Sequence, residues 1–417
     1  MRSSRQRQFQ AVLLLLSLIG LILILVLPSC QAGSGNDDGG GKPDASENAN
    51  ASVPPPSPSP SAAATPTKAP EPVFADAVWM AVGDVMMHKP QLPGSFDKAN
   101  NRYNFDPFFA EVKPILEQGD WVIANLETPI AGAEFGYSGY PLFNAPAELA
   151  EALKTAGFNL ITNANNHSLD QGESGVLGTL ANLKALGLPS VGTAVSREEA
   201  DKLLLVEKNG IVMGLLAYTY GTNGIPIPEG KPYLVNLIDE QKIKNDIAKL
   251  RQAGADFITV SLHFGTEYQT TPSEEQKRLA RSLIASGADI IAGSHPHVVQ
   301  PYEVVEATDG NGRTREGLII YSMGNFISNQ RGDTKDYGVI FKVGVRKNMS
   351  DGTIAFTEIE SIPTWVHRYK PDHAFRYRVL PIEDTIAAKS DTMLSQADYA
   401  SLQKNFDLLR NRLESMK

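Results

Sequence analysis

The sequence predicts an α/β fold with largely parallel strand pairing, and three observations carry that expectation. From Val73 onward, short apolar runs alternate with amphipathic helical stretches. The chain of 417 residues has one cysteine, so a hydrophobic core and not a disulfide framework must hold it together. The apolar runs repeatedly end in Asp, Glu, Asn or His, and in open α/β sheets the C-terminal edge of the strands is where sites form.

In chain order, residues 78–83 form the first expected strand, ending in Gly83-Asp84. Residues 106–118 follow as a helix that Pro114 breaks or shifts. Trp121-Val-Ile-Ala-Asn-Leu-Glu127 is a strand that turns polar at its end. Residues 146–156 place Ala, Glu, Leu and Lys at helical spacing, with Gly157 as the stop. Phe158-Asn-Leu-Ile-Thr-Asn163 is the next strand and runs into Asn165-Asn-His167; a Leu- and Ala-rich helix then continues to Gly187. Residues 203–207 and 211–218 are strands joined by Lys208-Asn-Gly210, a hairpin signal. Residues 239–253 are helical, and residues 256–263 form a strand ending on His263. Ser273 caps a helix through Ser286, with Glu275 and Gln276 where capping partners sit.

Asp289-Ile-Ile-Ala-Gly-Ser-His-Pro-His-Val298 is a short apolar strand stopped by Gly293, Ser294 and Pro296. It delivers His295 and His297 two residues apart, so in extended backbone both rings face one side and one cation. Residues 317–326, 337–346 and 354–362 are expected as later, antiparallel strands, and residues 394–416 as a closing helix. Phe105, Phe108 and Phe109 are expected in the core. No period of 20–50 residues repeats, which excludes solenoids and propellers. The folded body divides, on this reading, into residues 73–330 and a C-terminal part, residues 331–417.

Ahead of the body, Arg2, Arg5 and Arg7 precede the uncharged run 11–27 and then Leu27-Pro-Ser-Cys30, the three-part layout of an export signal. Cys30 stands where a lipoprotein signal places the residue that is acylated after cleavage. An uncleaved helical anchor is the alternative, since about 17 apolar residues is the lower limit for a bilayer span; release by cleavage is a third. The arginines favour a cytoplasmic N-terminus with the remainder on the extracytoplasmic face. Residues 31–72 are Gly-, Ser- and Pro-rich, as in Pro54-Pro-Pro-Ser-Pro-Ser-Pro60, and cannot bury enough apolar surface to fold. They form a tether spanning roughly 35 Å as a coil and up to about 130 Å as polyproline.

The formal charge of the chain is −9, and without residues 1–30 it stands near −12, with 35 basic against 47 acidic side chains. Such a body is a poor nucleic-acid binder, because that binding runs on neutralising phosphates with Lys and Arg. An anionic polymer or headgroup must be held by a local patch or by metal.

The strand-end residues are Asp84, Asn125 and Glu127, Asn166 and His167, His263, and His295 with His297. Gly83-Asp84, Ala124-Asn-Leu-Glu127, Asn165-Asn-His167, Leu262-His-Phe-Gly265 and Gly293-Ser-His-Pro-His297 resemble, in order, the motif blocks of the calcineurin-like metallophosphoesterases. The more specific resemblance is to the CapA-type poly-gamma-glutamate capsule-biosynthesis proteins, a divergent branch of that group. It rests on Asn163-Ala-Asn-Asn-His167, His263-Phe-Gly-Thr-Glu-Tyr268, Gly293-Ser-His-Pro-His-Val298 and Ser322-Met-Gly-Asn-Phe326, and covers residues 78–329.

The resemblance implies a layered β-sandwich flanked by helices, with a C-terminal extension. It implies two divalent cations, one served by Asp84 and His297, the other by Asn166, His263 and His295. Glu127 bridges them, with Asn125 as the competing candidate. Ligands of this oxygen and imidazole type suit Mn, Fe, Zn or Mg. His167 is implied as the acid beside the leaving group. Glu267, Tyr268 and Asn325 are candidates to line the site, Asn325 alternatively to satisfy a turn. The implied partners are poly-gamma-glutamate and the membrane subunits of a capsule synthase. Two readings follow: an assembly or export protein, or a hydrolase of a phosphoester or gamma-glutamyl amide.

The sequence also departs from the wider group. Met86 stands where the Asp-x-His block has its histidine, His88 lies four residues after Asp84, and Ser168 stands where a carboxylate usually steadies the catalytic histidine. Asp170 is the nearest candidate to replace that carboxylate.

Overall fold

The computed structural model describes residues 73–308, 312 and 314–417. The expected signal or anchor with Cys30, and the tether of residues 31–72, lie outside the described residues. The first strand, β1 (Phe74–Val85), is followed by a small ribbon of β2 (Phe96–Asp97) and β3 (Arg102–Tyr103). Next come β4 (Trp121–Leu126), β5 (Leu160–Thr162) and β6 (Ser190–Val191). Strands β7 (Leu204–Lys208), β8 (Ile211–Thr219), β9 (Phe257–His263), β10 (Ile290–Ser294), β11 (Tyr302–Thr308) and β12 (Thr314–Ile320) form the second part. The last strands are β13 (Asn325–Ile327), β14 (Tyr337–Asn348), β15 (Ile354–Tyr369) and β16 (Arg376–Pro381). The longer helices are α1 (Glu148–Ala156), α2 (Gly172–Ala185), α3 (Glu240–Gln252), α4 (Glu274–Ala285), α5 (Ile382–Ala388) and α6 (Gln396–Leu413).

The first sheet runs β16-β15-β14-β1-β4-β5-β6, with β13 also paired to β1. Strands β1, β4, β5 and β6 are parallel, whereas β14, β15 and β16 add antiparallel to β1. The second sheet runs β11-β12-β10-β9-β8-β7, parallel in its centre and antiparallel at both edges. The turn between β7 and β8 has positive φ at both Asn209 (53°) and Gly210 (81°), the conformation for which Asn-Gly is favoured.

Neighbouring residues of one strand fall into different cores, as the period of two demands. Trp79, Ala81, Trp121 and Ile123 of the first sheet face Met213, Leu215, Phe257, Ile290 and Ala292 of the second. Met80, Val82, Val122 and Ala124 pack outward against α1, whose Leu149, Ala150, Ala152, Leu153 and Ala156 are buried. Leu216 and Ile291 pack outward against α3 and α4. The result is the expected layered sandwich of two sheets flanked by helices. Helix α6 adds Tyr399, Leu402, Phe406, Leu409 and Leu413 to the core between the sheets, in the three–four spacing of one helical face.

Three elements differ from expectation. Residues 106–118 are two separate turns of helix, Asp106–Phe109 and Lys113–Leu116, and each has its proline, Pro107 or Pro114, in its first turn. Each proline starts a helix because its missing N–H costs nothing there. Residues 317–326 are not one strand: β12 ends at Ile320 in the second sheet, and β13 begins at Asn325 in the first. Gly324 makes that crossing at φ 66°, and its carbonyl accepts the Asp84 N–H at 2.9 Å. Any Cβ at Gly83 would collide with the same Gly324 carbonyl, so the two glycines let the backbones touch. Strand β11, not anticipated, closes the edge beside β12.

Residues 331–417 are built into the first sheet. Strand β14 pairs with β1 from Phe74↔Asn348 to Val82↔Ile340, and the described residues from Val73 to Lys417 belong to one compact unit. No helix among the described residues is long and apolar enough to cross a membrane.

Candidate metal centre

The candidate residues converge where the C-terminal edges of the two sheets meet. The first sheet brings Asp84 at the end of β1, Asn125 and Glu127 at the end of β4, and Asn166 and His167 beyond β5. The second brings His263 as the last residue of β9, and His295 and His297 just past β10. All of them are buried, Asp84 and Glu127 completely.

Contacts cross the seam. His297 Nδ1 lies 3.0 Å from Asp84 Oδ2, and its Nε2 lies 3.7 Å from Glu127 Oε1. His263 Nε2 is 2.9 Å from Asn166 Oδ1 and 3.4 Å from Glu127 Oε1, while its Nδ1 meets Ser294 Oγ at 3.0 Å. Ligand atoms of Asp84, Glu127 and His297 lie within 4.8 Å of one another, and so do those of Glu127, His263 and His295. Asn125 donates its amide to Asp84 Oδ1 at 2.9 Å, so it orients that carboxylate, and Glu127 is the group common to both clusters.

These residues fit a divalent cation. Both carboxylate oxygens of Glu127 and the Nδ1 of His295 are buried without a hydrogen-bond partner. Orphaned buried acceptors are costly, and a divalent cation beside them would relieve that cost. The donors are carboxylate, amide oxygen and imidazole, a set suited to divalent ions.

The model of the bacterial capsule synthesis protein family PGA_cap matches residues 78–330, a span that holds every one of these side chains. The chain belongs to this family. It is 30% identical over 259 residues to the capsule biosynthesis protein CapA of Bacillus anthracis, covering 60% of this chain and 59% of that protein. It is 29% identical over 303 residues to the PGA biosynthesis protein CapA of Bacillus subtilis (strain 168), covering 70% and 72%. The solved calcineurin-like phosphoesterase YfkN of Bacillus subtilis superposes with a TM-score of 0.41 at 14% identity, over 70% of this chain and 91% of that one.

His88, four residues after Asp84, is not among the clustered ligand atoms. Its Nδ1 accepts the Asn329 N–H at 3.3 Å, and its ring packs edge-on against Phe143 at 5.1 Å. Asp170, three residues past His167, does reach it: His167 Nδ1 lies 2.8 Å from Asp170 Oδ2, which also accepts the Phe143 N–H at 2.7 Å. The Phe143 ring meets His167 at 90° and 4.7 Å, so the imidazole is held from two sides. Asn325 satisfies a turn: its Nδ2 donates to His297 O, Gln330 Oε1 and Lys335 O.

Sequence reasoning missed Tyr220 and Asn223, which follow β8. The Tyr220 ring is 4.6 Å from His295, and Asn223 Oδ1 accepts from Asn166 Nδ2 at 3.2 Å. Both lie just past a C-terminal strand end, so the positional rule that found the others covered them as well.

Burial dominates the electrostatics. Burial and then the adjacent Asp84 charge hold the Glu127 carboxyl well above its usual range. Burial would raise Asp84 too, but the hydrogen bond and charge of His297 outweigh it and hold that carboxyl low. Burial, joined by the neighbouring histidines, depresses His263 well below its ordinary value and His295 to about 3. Burial likewise takes His88 and His367 to about 4.

A folded-state pKa below the unfolded 6.5 means that the unfolded chain binds more protons, so each of these four histidines contributes stability above 6.5 that is lost as pH falls. Glu127 in the site and Asp289 outside it, both raised by burial, act in the opposite sense, two groups against the four histidines. The thermal midpoint of the metal-free protein is therefore expected to drop between pH 6.5 and pH 4; a midpoint that climbs on acidification contradicts this.

Proposed function

We propose that this chain is a membrane-anchored, extracytoplasmic protein of poly-gamma-glutamate capsule biosynthesis or export, built on a centre for two divalent cations. The observation that carries the reading is Glu127, buried with both oxygens unpartnered between two clusters of candidate ligands, in a chain of the capsule synthesis family. Asp84 and His297 would hold one cation, and Asn166, His263 and His295 the other, with Glu127 between. A pair of such cations supplies a water of lowered pKa and stabilises the attacking and leaving oxygens of a displacement. The chain's own part is to orient ligands through Asn125 and Ser294, and to hold a proton at His167 Nε2 while Asp170 fixes Nδ1. Cys30 and the run before it supply the anchor, by lipid or by an uncleaved helix, and residues 31–72 hold the body off the membrane.

The alternative is a metal-dependent hydrolase of a phosphoester or gamma-glutamyl amide unrelated to polymer assembly. The retained His167–Asp170 pair favours it. One experiment separates the two. Cells making the polymer are compared with and without the full chain and its His263→Ala variant, while purified metal-loaded protein is screened on phosphoesters and gamma-glutamyl oligomers. Polymer that depends on His263, a chain found in the membrane fraction only while Cys30 and its preceding run are intact, and co-purification with synthase membrane subunits are expected. Turnover with no effect on polymer sinks the assembly role.

A further inference from the structure

We propose that Glu267 is a ligand of the metal centre, beside His295 and His297. This rests on the centre described under Proposed function and adds to it a group from an element that no other ligand uses. A carboxylate oxygen of Glu267 and a ring nitrogen each of His295 and His297 lie within 4.8 Å of one another. Glu267 is the exposed member of that trio, and it stands in the loop after β9. Met86, two residues after Asp84, is buried and offers no oxygen or nitrogen ligand.

The backbone holds the carboxylate there deliberately. The Tyr268 N–H donates to Pro296 O at 2.7 Å, which ties the Glu267 loop to the His-Pro-His turn. Tyr268, His295 and His297 all have positive φ, at 66°, 100° and 59°, a strained conformation for side chains of this size. Such strain persists where the surroundings over-determine it, and it gathers at ligand clamps. The next ring also braces the turn: Tyr268 stands 6.1 Å from His297, and Lys335 Nζ lies 5.0 Å over it. Lys335 is paired with Asp333, and no lysine or arginine among the described residues forms a salt bridge with Glu267. The orphaned His295 Nδ1 and Glu127 oxygens are the second sign that a cation belongs at this spot.

Because Glu267 reaches the centre from solvent, it is the ligand that an entering anion would displace first. The other candidates are buried, and His263 with Asn166 and His297 with Asp84 hold each other across the seam.

The test is a Mn²⁺ titration of the metal-stripped full chain, followed by calorimetry and electron paramagnetic resonance, in the wild type, Glu267→Gln and a control at the exposed Glu229→Gln. Glu267→Gln is expected to weaken one Mn²⁺ site by at least about tenfold while the thermal midpoint of the metal-free protein stays put. Glu229→Gln is expected to match the wild type. Unchanged binding in Glu267→Gln beside a wild type that binds Mn²⁺ overturns the assignment and leaves the centre standing. A wild type that binds no Mn²⁺ overturns both. Repeating the titration in about 1 M salt, where the Debye length is roughly 3 Å, separates ligation from a field effect: a loss that persists supports ligation, and a loss that vanishes overturns it.

Discussion

The His167→Asn variant is expected to keep its fold and its metal and to lose between about a hundred- and ten-thousand-fold of whatever turnover the protein supports. Polymer yield should fall with it if that yield depends on turnover. His167 takes no part in the clusters of candidate ligands, so its removal leaves the cations their donors. Its ring is set by Asp170 at Nδ1 and by the edge of Phe143, and an asparagine in that place can accept or donate a hydrogen bond but cannot exchange a proton near neutral pH. Metal analysis and turnover on the same preparation check it. Loss of metal would mean that His167 is itself a ligand, and undiminished activity would remove it from the chemistry and favour a binding role for the whole site.

Glu127→Gln is the second large effect, and its two halves carry opposite signs. Glu127 belongs to both clusters, so exchanging its carboxylate for an amide should cost at least about a hundredfold in affinity at either position, more than a lost outer-shell contact. His263→Ala and Asp84→Ala should each strike chiefly one position, and His263 the more heavily, because its side retains Asn166 and His295 while the Asp84 side lacks the histidine that Met86 replaces. The metal-free Glu127→Gln protein should nonetheless unfold at a higher temperature than the metal-free wild type. The native carboxylate is completely buried, lacks a partner and faces the Asp84 charge, and the amide relieves that crowding. Metal content after dialysis and thermal unfolding with and without cation measure both halves. A metal-free variant that is less stable than the wild type would show that Glu127 is held for the fold.

The site was legible in the sequence to the extent that it depends on strand ends. Asp84, His263, His295 and His297 could be placed together because a parallel strand aims its last residues at one edge, whatever the intervening loops do. What the loops do was not legible. Asp170 lies three residues past His167, close enough to suspect, but only the fold brings the Phe143 backbone to the same carboxylate oxygen. The choice between Asn125 and Glu127 was undecidable from the pattern, since both follow one strand; it turns on which side chain finds a donor or acceptor across the cleft. His88, four residues after Asp84 and without a motif around it, is held instead by the Asn329 backbone. In the fold, the apolar run at 317–326 looked like one strand because hydrophobicity does not record which sheet a residue joins. Gly324 was the only local sign of the crossing.

The second sheet is drawn from one continuous stretch, Leu204 to Ile320, whereas the first is split, with β1 held between β4 and the late strands β13 and β14. Chains are made N-terminus first, and contacts between distant segments form slowly because their loop-closure entropy is spent before they stabilise anything. Asp84 is thus synthesised early yet remains without the Gly324 carbonyl that its N–H meets, and without Asn325 of β13 beside it, until those late residues exist. A chain made only as far as Ile320 holds every strand of the second sheet but has no finished cation site to fill. Any cation that this site takes up would therefore be acquired as a closing step of folding, after the late strands are in place.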